Sequence, residues 1–223
     1  MLDCKRVQEE GLPKLRVPIR FGELSPDVAL PTIPQPDKSH PIRMSSILIL
    51  YATTEGQTAR IAERIAQILR DSGHAAEACP AKQARTDLDP AKYDGVIVGA
   101  SIHYGRHPGY LGPLMRSHRA ALEARPGAFF SVSLSGGGPG AKPKAARRYL
   151  EVFLRQVGWH PQQTATFAGA LPFSKYGAFK RMLMILFVGF GGGDTDTSRD
   201  YEYTDWDAVE RFAETFAQRL SPS

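Results

Sequence analysis

The chain has 223 residues, 42% hydrophobic and 23% charged, with a formal net charge of +5 and a sequence pI near 9.3. That length suits one domain with an extension, and the composition excludes a disordered or fibrous class, while the modest positive charge permits an anionic membrane surface or an acidic ligand without demanding either. Two cysteines, Cys4 and Cys79, exclude a disulfide framework and a cysteine metal cluster, so a reducing cytosolic setting is the default and no nucleic-acid partner is expected.

Residues 1–43 hold seven of the 17 prolines and show neither a sustained period nor a signal-peptide pattern. They read as a disordered leader or, since Met44 directly precedes the first strand, as a misassigned start. Removing them leaves 21 basic against 17 acidic residues, so the leader does not set the charge. Residues 44–223 are expected to form the folded domain.

Residues 47–51, ILILY, are a β-branched, apolar run of strand length, and from Arg60 the residues Ile61, Ile65, Ile68 and Leu69 recur at helical spacing. The segment between them, TTEGQT at 53–58, must join a buried strand to a helix N-terminus. Unpaired N–H groups and the helix dipole favour an anion there. Thr53, Thr54 and Thr58 add hydroxyl donors, and Gly56 lets a ligand approach the backbone. No Lys follows the glycine, so this is no nucleotide P-loop, and G-x-G-x-x-G is absent. Hydroxyls and amides without a cation suit a permanently held monophosphate such as that of FMN. The same loop reads equally as an ordinary helix cap.

After a helix ending near Gly73, residues 74–79 form a weak strand. Residues 93–100 are a second buried strand, running into SIHYGRHPG, and a helix is expected over 110–124. Residues 127–134, GAFFSVSL, are a further strand, leading into SGGGPG at 135–140. A helix over 144–157 places Ala145, Tyr149, Val152, Phe153 and Val157 as its apolar residues. Residues 164–171 are the fifth strand, and the last helix spans 205–220. Alternating strands and helices predict an α/β fold, a doubly wound five-stranded parallel sheet with helices on both faces. Ligands bind such sheets at the carboxyl edge of the strands. Three loops rich in hydroxyls or glycine meet there, at 53–58, 101–109 and 133–140, which points to a flavin. Tyr104 is placed to stack on a flat ring, or simply caps the core edge. His103 and His107 have metal-pair spacing, but Gly105 and Pro108 oppose a helix and no third ligand is near, so no metal is expected. The GGGPG run is either a linker or a close approach to a ligand.

Residues 172–197 are an insertion that a flavin-binding sheet does not need. Within it, residues 182–190 carry no charge, far short of the roughly 20 residues needed to span a bilayer. The segment suits an interfacial helix, a lid over an apolar ligand, or a core helix. The basic residues of 144–155 favour a surface role.

The TTEGQT loop, GASIHYG at 99–105, AGAL at 168–171, GGGDTDT at 191–197 and YTDW at 203–206 together resemble the flavodoxin-like, quinone-dependent protoporphyrinogen oxidases of bacteria, from Ser46 to about Leu220. The resemblance implies FMN, a peripheral place on the cytoplasmic side of the inner membrane, and oxidation of protoporphyrinogen IX to protoporphyrin IX in haem synthesis. Menaquinone or ubiquinone would receive the electrons. By matching positions it assigns Thr53, Thr54, Glu55, Gly56, Gln57 and Thr58 to the phosphate. It sets Ser101, Ile102, His103, Tyr104 and Gly105, with Ser133, Leu134, Ser135 and Gly136, around the ring. The chemistry is flavin-borne, and His103 and Tyr104 are the candidate catalytic groups for proton handling. Homo-oligomerisation stays open. The rivals are a flavodoxin-type electron-transfer protein, commonly acidic around its flavin where this chain is basic, and a soluble quinone reductase, whose nicotinamide site is not legible. A non-redox adaptor domain is the third, and the intact TTEGQT loop speaks against it.

Overall fold

The computed structural model describes residues 44–84, 89–138, 140–171 and 198–220. The expected leader (1–43) and insertion (172–197) lie outside the described residues. Five strands, β1 (Ser46–Ala52), β2 (Ala75–Pro80), β3 (Gly95–Ser101), β4 (Gly127–Ser133) and β5 (Gln163–Ala168), form one sheet in the order β2-β1-β3-β4-β5. Every pairing is parallel. This is the doubly wound order whose switch point lies between β1 and β3.

The helices α1 (Gln57–Asp71), α2 (Leu111–Ser117), α3 (Arg119–Glu123), α4 (Pro143–Val157) and α5 (Trp206–Leu220) cover the two faces. All seven residues of β3 and of β4 are buried, which is why these strands read as continuous apolar runs. In β1, Ile47 and Ile49 face α1 and α5, meeting Ile61, Ile65, Val209, Phe212 and Phe216. Leu48 and Leu50 face the other way, toward Leu111, Met115, Leu150 and Phe153.

Four expectations need correction. The helix expected over 110–124 is broken at His118 (φ −106°, ψ 11°), next to Ser117, whose hydroxyl donates to the Leu114 carbonyl at 2.8 Å. The fifth strand ends at Ala168. After Gly169 the chain forms a two-residue strand, β6 (Ala170–Leu171), which pairs antiparallel with β7 (Tyr201–Glu202), a strand the sequence did not suggest. The buried stripe of α4 is Ala146, Leu150, Phe153 and Val157, so of the apolar residues named in the sequence Phe153 and Val157 lie on it and Ala145, Tyr149 and Val152 lie off it. The last helix starts at Trp206, with Asp205 as its cap: Oδ1 accepts from the Ala208 N–H at 2.9 Å.

Gly99 sits in register with Phe130, whose fully buried ring covers it. A Cβ at Gly99 would lie 2.0 Å from Phe130 Cζ, and Phe130 is itself held by Phe167 and Phe212. Gly99→Ala is expected to cost about 2 kcal/mol. An unchanged urea midpoint would contradict that packing; Gly99→Ala combined with Phe130→Leu should regain part of the loss.

Candidate functional site

The first loop leaves β1 and turns into α1 at Gly56, which takes the left-handed conformation (φ 98°) and gives the helix no side-chain cap. The Thr53 hydroxyl accepts from the Gly56 N–H at 2.9 Å, ahead of the helix. The Thr54 hydroxyl lies 3.3 Å from Ser101 Oγ and ties this loop to the end of β3. Neither hydroxyl caps the first-turn N–H groups, so the cap reading of this loop does not describe it. Thr58 is 1% exposed, and its Oγ1 is buried without a hydrogen-bond partner. Such an orphan costs about 1–3 kcal/mol unless something fills its bonding capacity.

The second loop folds back as a tight turn. His103 and Arg106 exchange backbone hydrogen bonds of 2.9 and 3.0 Å around Tyr104 (φ 49°) and Gly105 (φ 74°), the positive-φ pair of a type I′ turn. Tyr104 is the one non-glycine residue with positive φ among the described residues and is 71% exposed. A tyrosine held in this sparsely populated region and left open marks a position set by use more than by packing. His107, next in the chain, turns inward instead. Its Nε2 lies 2.9 Å from Ser131 Oγ and its ring packs 4.5 Å from that of Phe153. Burial lowers its pKa to about 4, so this half-buried histidine is neutral at pH 7.

The third loop begins as a short 3-10 turn, Leu134–Gly136, and lies on the end of β5. A Cβ on Gly136 would come within 2.4 Å of the Phe167 carbonyl oxygen, and one on Gly138 within 2.7 Å of the Tyr203 ring. The glycine run therefore makes room for the protein's own backbone and Tyr203. The β7 segment braces the start of α1 behind the lining. Gln57 Nε2 donates to Glu202 Oε1 (3.1 Å) and Thr204 Oγ1 (2.8 Å), and Thr204 Oγ1 donates to the Ala168 carbonyl (3.0 Å). Glu202 also receives Arg60 at 2.6 Å and the Trp206 indole N–H at 2.9 Å. Burial pushes this carboxyl up, but the hydrogen bonds from Arg60, Gln57 and Trp206 and the Arg60 charge outweigh it, leaving it below the ordinary carboxylate range.

These loops enclose a cleft of about 810 Å³. Of the residues singled out in the sequence, Thr53, Glu55, Gln57, Thr58, Ser101, Ile102, His103, Tyr104, Gly105, Ser133, Leu134 and Ser135 line it. Thr54, Gly56 and Gly136 do not; they shape the loops behind the lining. Four lining residues were missed: Val132, Tyr149, Gly169 and Ala170. Tyr149 stood in the sequence only as one of the apolar residues of α4; Gly169 and Ala170 lie in AGAL, one of the segments that carry the family resemblance, and Val132, near the end of β4, carried no signal.

The donor set fits a flavin. No lysine or arginine is among the described residues that line the cleft, while an uncapped helix N-terminus and the orphaned Thr58 hydroxyl suit a monophosphate. Tyr104, Tyr149, Ile102, Val132 and Leu134 give walls for a flat ring.

A family model described as "Flavodoxin domain" matches residues 48–198. Protoporphyrinogen IX dehydrogenase (quinone) of Leishmania major is 37% identical over 171 residues, 76% of this chain and 74% of that protein. The protein of the same name from Escherichia coli K12 is 34% identical over 170 residues, 76% of this chain and 93% of its own length. The structure of oxidised flavodoxin 1 from Bacillus cereus aligns with 79% of this chain and all of its own at 16% identity, with a TM-score of 0.48. With a flavodoxin domain over most of its length and two such relatives above 30% identity, the chain belongs to the flavodoxin-like protoporphyrinogen IX dehydrogenase (quinone) family.

Proposed function

We propose that the protein holds FMN in this cleft and oxidises protoporphyrinogen IX to protoporphyrin IX in haem synthesis, passing the electrons to a membrane quinone. The observation that carries the reading is the buried, unpartnered Thr58 hydroxyl at the uncapped start of α1, a bonding site with no protein partner among the described residues. Bound FMN supplies a two-electron oxidant that accepts hydride equivalents and gives them up to a quinone, so the six-electron conversion takes three rounds.

The chain's own residues bind and orient. Thr58 Oγ1 and the first N–H groups of α1 hold the phosphate. The turn carrying Tyr104 and the turn carrying Leu134 and Ser135 flank the ring. The Gln57, Glu202 and Thr204 network fixes the start of α1 against β7. Each two-electron round takes a hydride from a bridge carbon and releases a proton, from a pyrrole N–H or from the bridge that gives no hydride, and His103 and Tyr104, both in the lining, are the candidate groups to take it.

A lipid-dissolved menaquinone or ubiquinone puts the protein peripherally on the cytoplasmic side of the inner membrane. The exposed Lys142, Lys144 and Arg155 on and before α4 support this, at about 1 kcal/mol per basic residue near an anionic surface. No helix among the described residues is long and apolar enough to cross a membrane.

The direct test is anaerobic mixing of FMN-loaded protein with protoporphyrinogen IX and a menaquinone analogue, following porphyrin fluorescence. Quinone-dependent porphyrin above the uncatalysed rate supports the reading. A yellow, reducible protein that forms no porphyrin would return the chain to the electron carriers. The cradle has its own test in Thr58→Val. Removing an orphaned hydroxyl should leave the FMN-free protein as stable or up to about 1 kcal/mol more stable, while FMN binding weakens about tenfold through loss of a hydrogen bond to a charged group. Opposite signs on stability and affinity identify a ligand-facing hydroxyl, whereas an unchanged FMN dissociation constant would remove Thr58 from the site.

A further inference from the structure

Beside the cleft, between the 105–113 segment with α2 and the outer side of α4, runs an open groove of about 1490 Å³. Among the described residues that line it, the charged ones are three arginines, Arg106, Arg116 and Arg148, with no aspartate or glutamate. None of the three guanidinium groups has an acidic partner among the described residues, whereas Arg60, Arg64, Arg147 and Arg211 do. Its apolar lining comes from Tyr149, Val152 and Phe153. Val152 is 38% exposed and Tyr104 71%, two of the three large apolar side chains exposed among the described residues. Tyr104 lines the cleft and Val152 the groove. Gly105 and Tyr149 line both, so cleft and groove are continuous.

We propose that this groove holds the carboxylate-bearing edge of the tetrapyrrole, its propionates paired with Arg106, Arg116 and Arg148 and its apolar body lying over Tyr149, Val152 and Phe153. The proposal rests on protoporphyrinogen IX being the substrate. A macrocycle that brings a methylene bridge to the cleft extends past Tyr149, where it meets apolar surface first and guanidinium groups at the rim. Forked donors suit carboxylates, and the ligand would shield those pairs from water. A quinone head carries no charge and leaves the three arginines unexplained.

The test is steady-state turnover of FMN-loaded Arg116→Gln/Arg148→Gln protein against the unaltered protein, with protoporphyrinogen IX and a menaquinone analogue. The KM for the porphyrinogen should rise about tenfold, while FMN content and the KM for the quinone stay where they were. In parallel, the unaltered protein should bind protoporphyrin IX more tightly than its dimethyl ester, and the double variant should lose that preference. Unchanged KM and unchanged preference, with turnover intact, would overturn the groove and leave the substrate standing. An unaltered protein that neither oxidises nor binds the porphyrin would bring down the substrate reading and the groove together. If the variant keeps its KM but stops sedimenting with phosphatidylglycerol vesicles, the arginines serve a lipid phosphate and the proposal fails.

Discussion

Acidification from pH 6.5 to 4 will remove about 3 kcal/mol of folding stability through His107 alone. The unfolded chain takes up this proton near 6.5, the folded protein only near 4. Between those values the unfolded state binds more protons, so the contribution is fully present above 6.5 and is lost as the pH falls toward 4. The difference in pKa corresponds to about 3 kcal/mol. Its origin is structural: the ring lies against Phe153 and Phe129, with Ser131 as its hydrogen-bonding partner, and nothing there favours the cation. His74, also lowered by burial, adds in the same direction. His107→Gln keeps a neutral partner for Ser131 and should flatten the acid limb by the His107 share, at some cost in packing at pH 7. Urea midpoints at pH 7 and 4.5 for both proteins measure this, and parallel losses would show that His107 is not the titrating group. Since His107 anchors the segment that follows the Tyr104 turn, flavin retention should weaken in the same window.

The parts of the fold legible in the sequence were those set by local physics. The runs in β1, β3 and β4 are apolar because both faces of a parallel sheet are buried, and α1 and α5 show their core stripes at helical spacing. What escaped depended on distant partners. The β6–β7 ribbon is two residues per strand and exists because Ala170 meets Glu202 and Leu171 meets Tyr201, a pairing no local pattern announces. The break at His118 has no glycine or proline beside it to announce it. At the site, the hydroxyls of TTEGQT were visible but not their division of labour, with Thr53 and Thr54 bonded to the protein and only Thr58 left over. Tyr149 stood in the sequence only as one of the apolar residues of the helix over 144–157. Its place beside the true stripe of α4 became visible only once the helix was docked.

Gly136→Ala will weaken FMN binding about a hundredfold without touching the cofactor. The added Cβ would stand 2.4 Å from the Phe167 carbonyl oxygen, 2.7 Å from its carbon and 2.9 Å from the Ala168 nitrogen, all backbone atoms of β5. That strand is fixed in parallel register with β4, from Ala128 opposite Gln163 to Ser133 opposite Ala168, so it cannot yield as a side chain would. The 3-10 turn must lift instead. Leu134 and Ser135 move with it, and the bond from the Lys142 N–H to the Ser135 carbonyl, now 3.0 Å, is strained or lost. Overpacking of this kind costs about 1–3 kcal/mol. The FMN-free protein relieves the strain by letting the loop rise. In the proposed FMN-bound form the loop lies down against the ring, so cofactor binding would have to restore the strain, and at 1.4 kcal/mol per tenfold the upper part of that range is about a hundredfold in affinity. The sheet and the α1 cradle stay intact, so the variant should fold, keep its urea midpoint without FMN to within about 1 kcal/mol, and be purified largely colourless. Fluorescence titration of FMN measures the dissociation constant. A variant that binds FMN as the unaltered protein does would mean that the 134–136 turn is no wall of the flavin site.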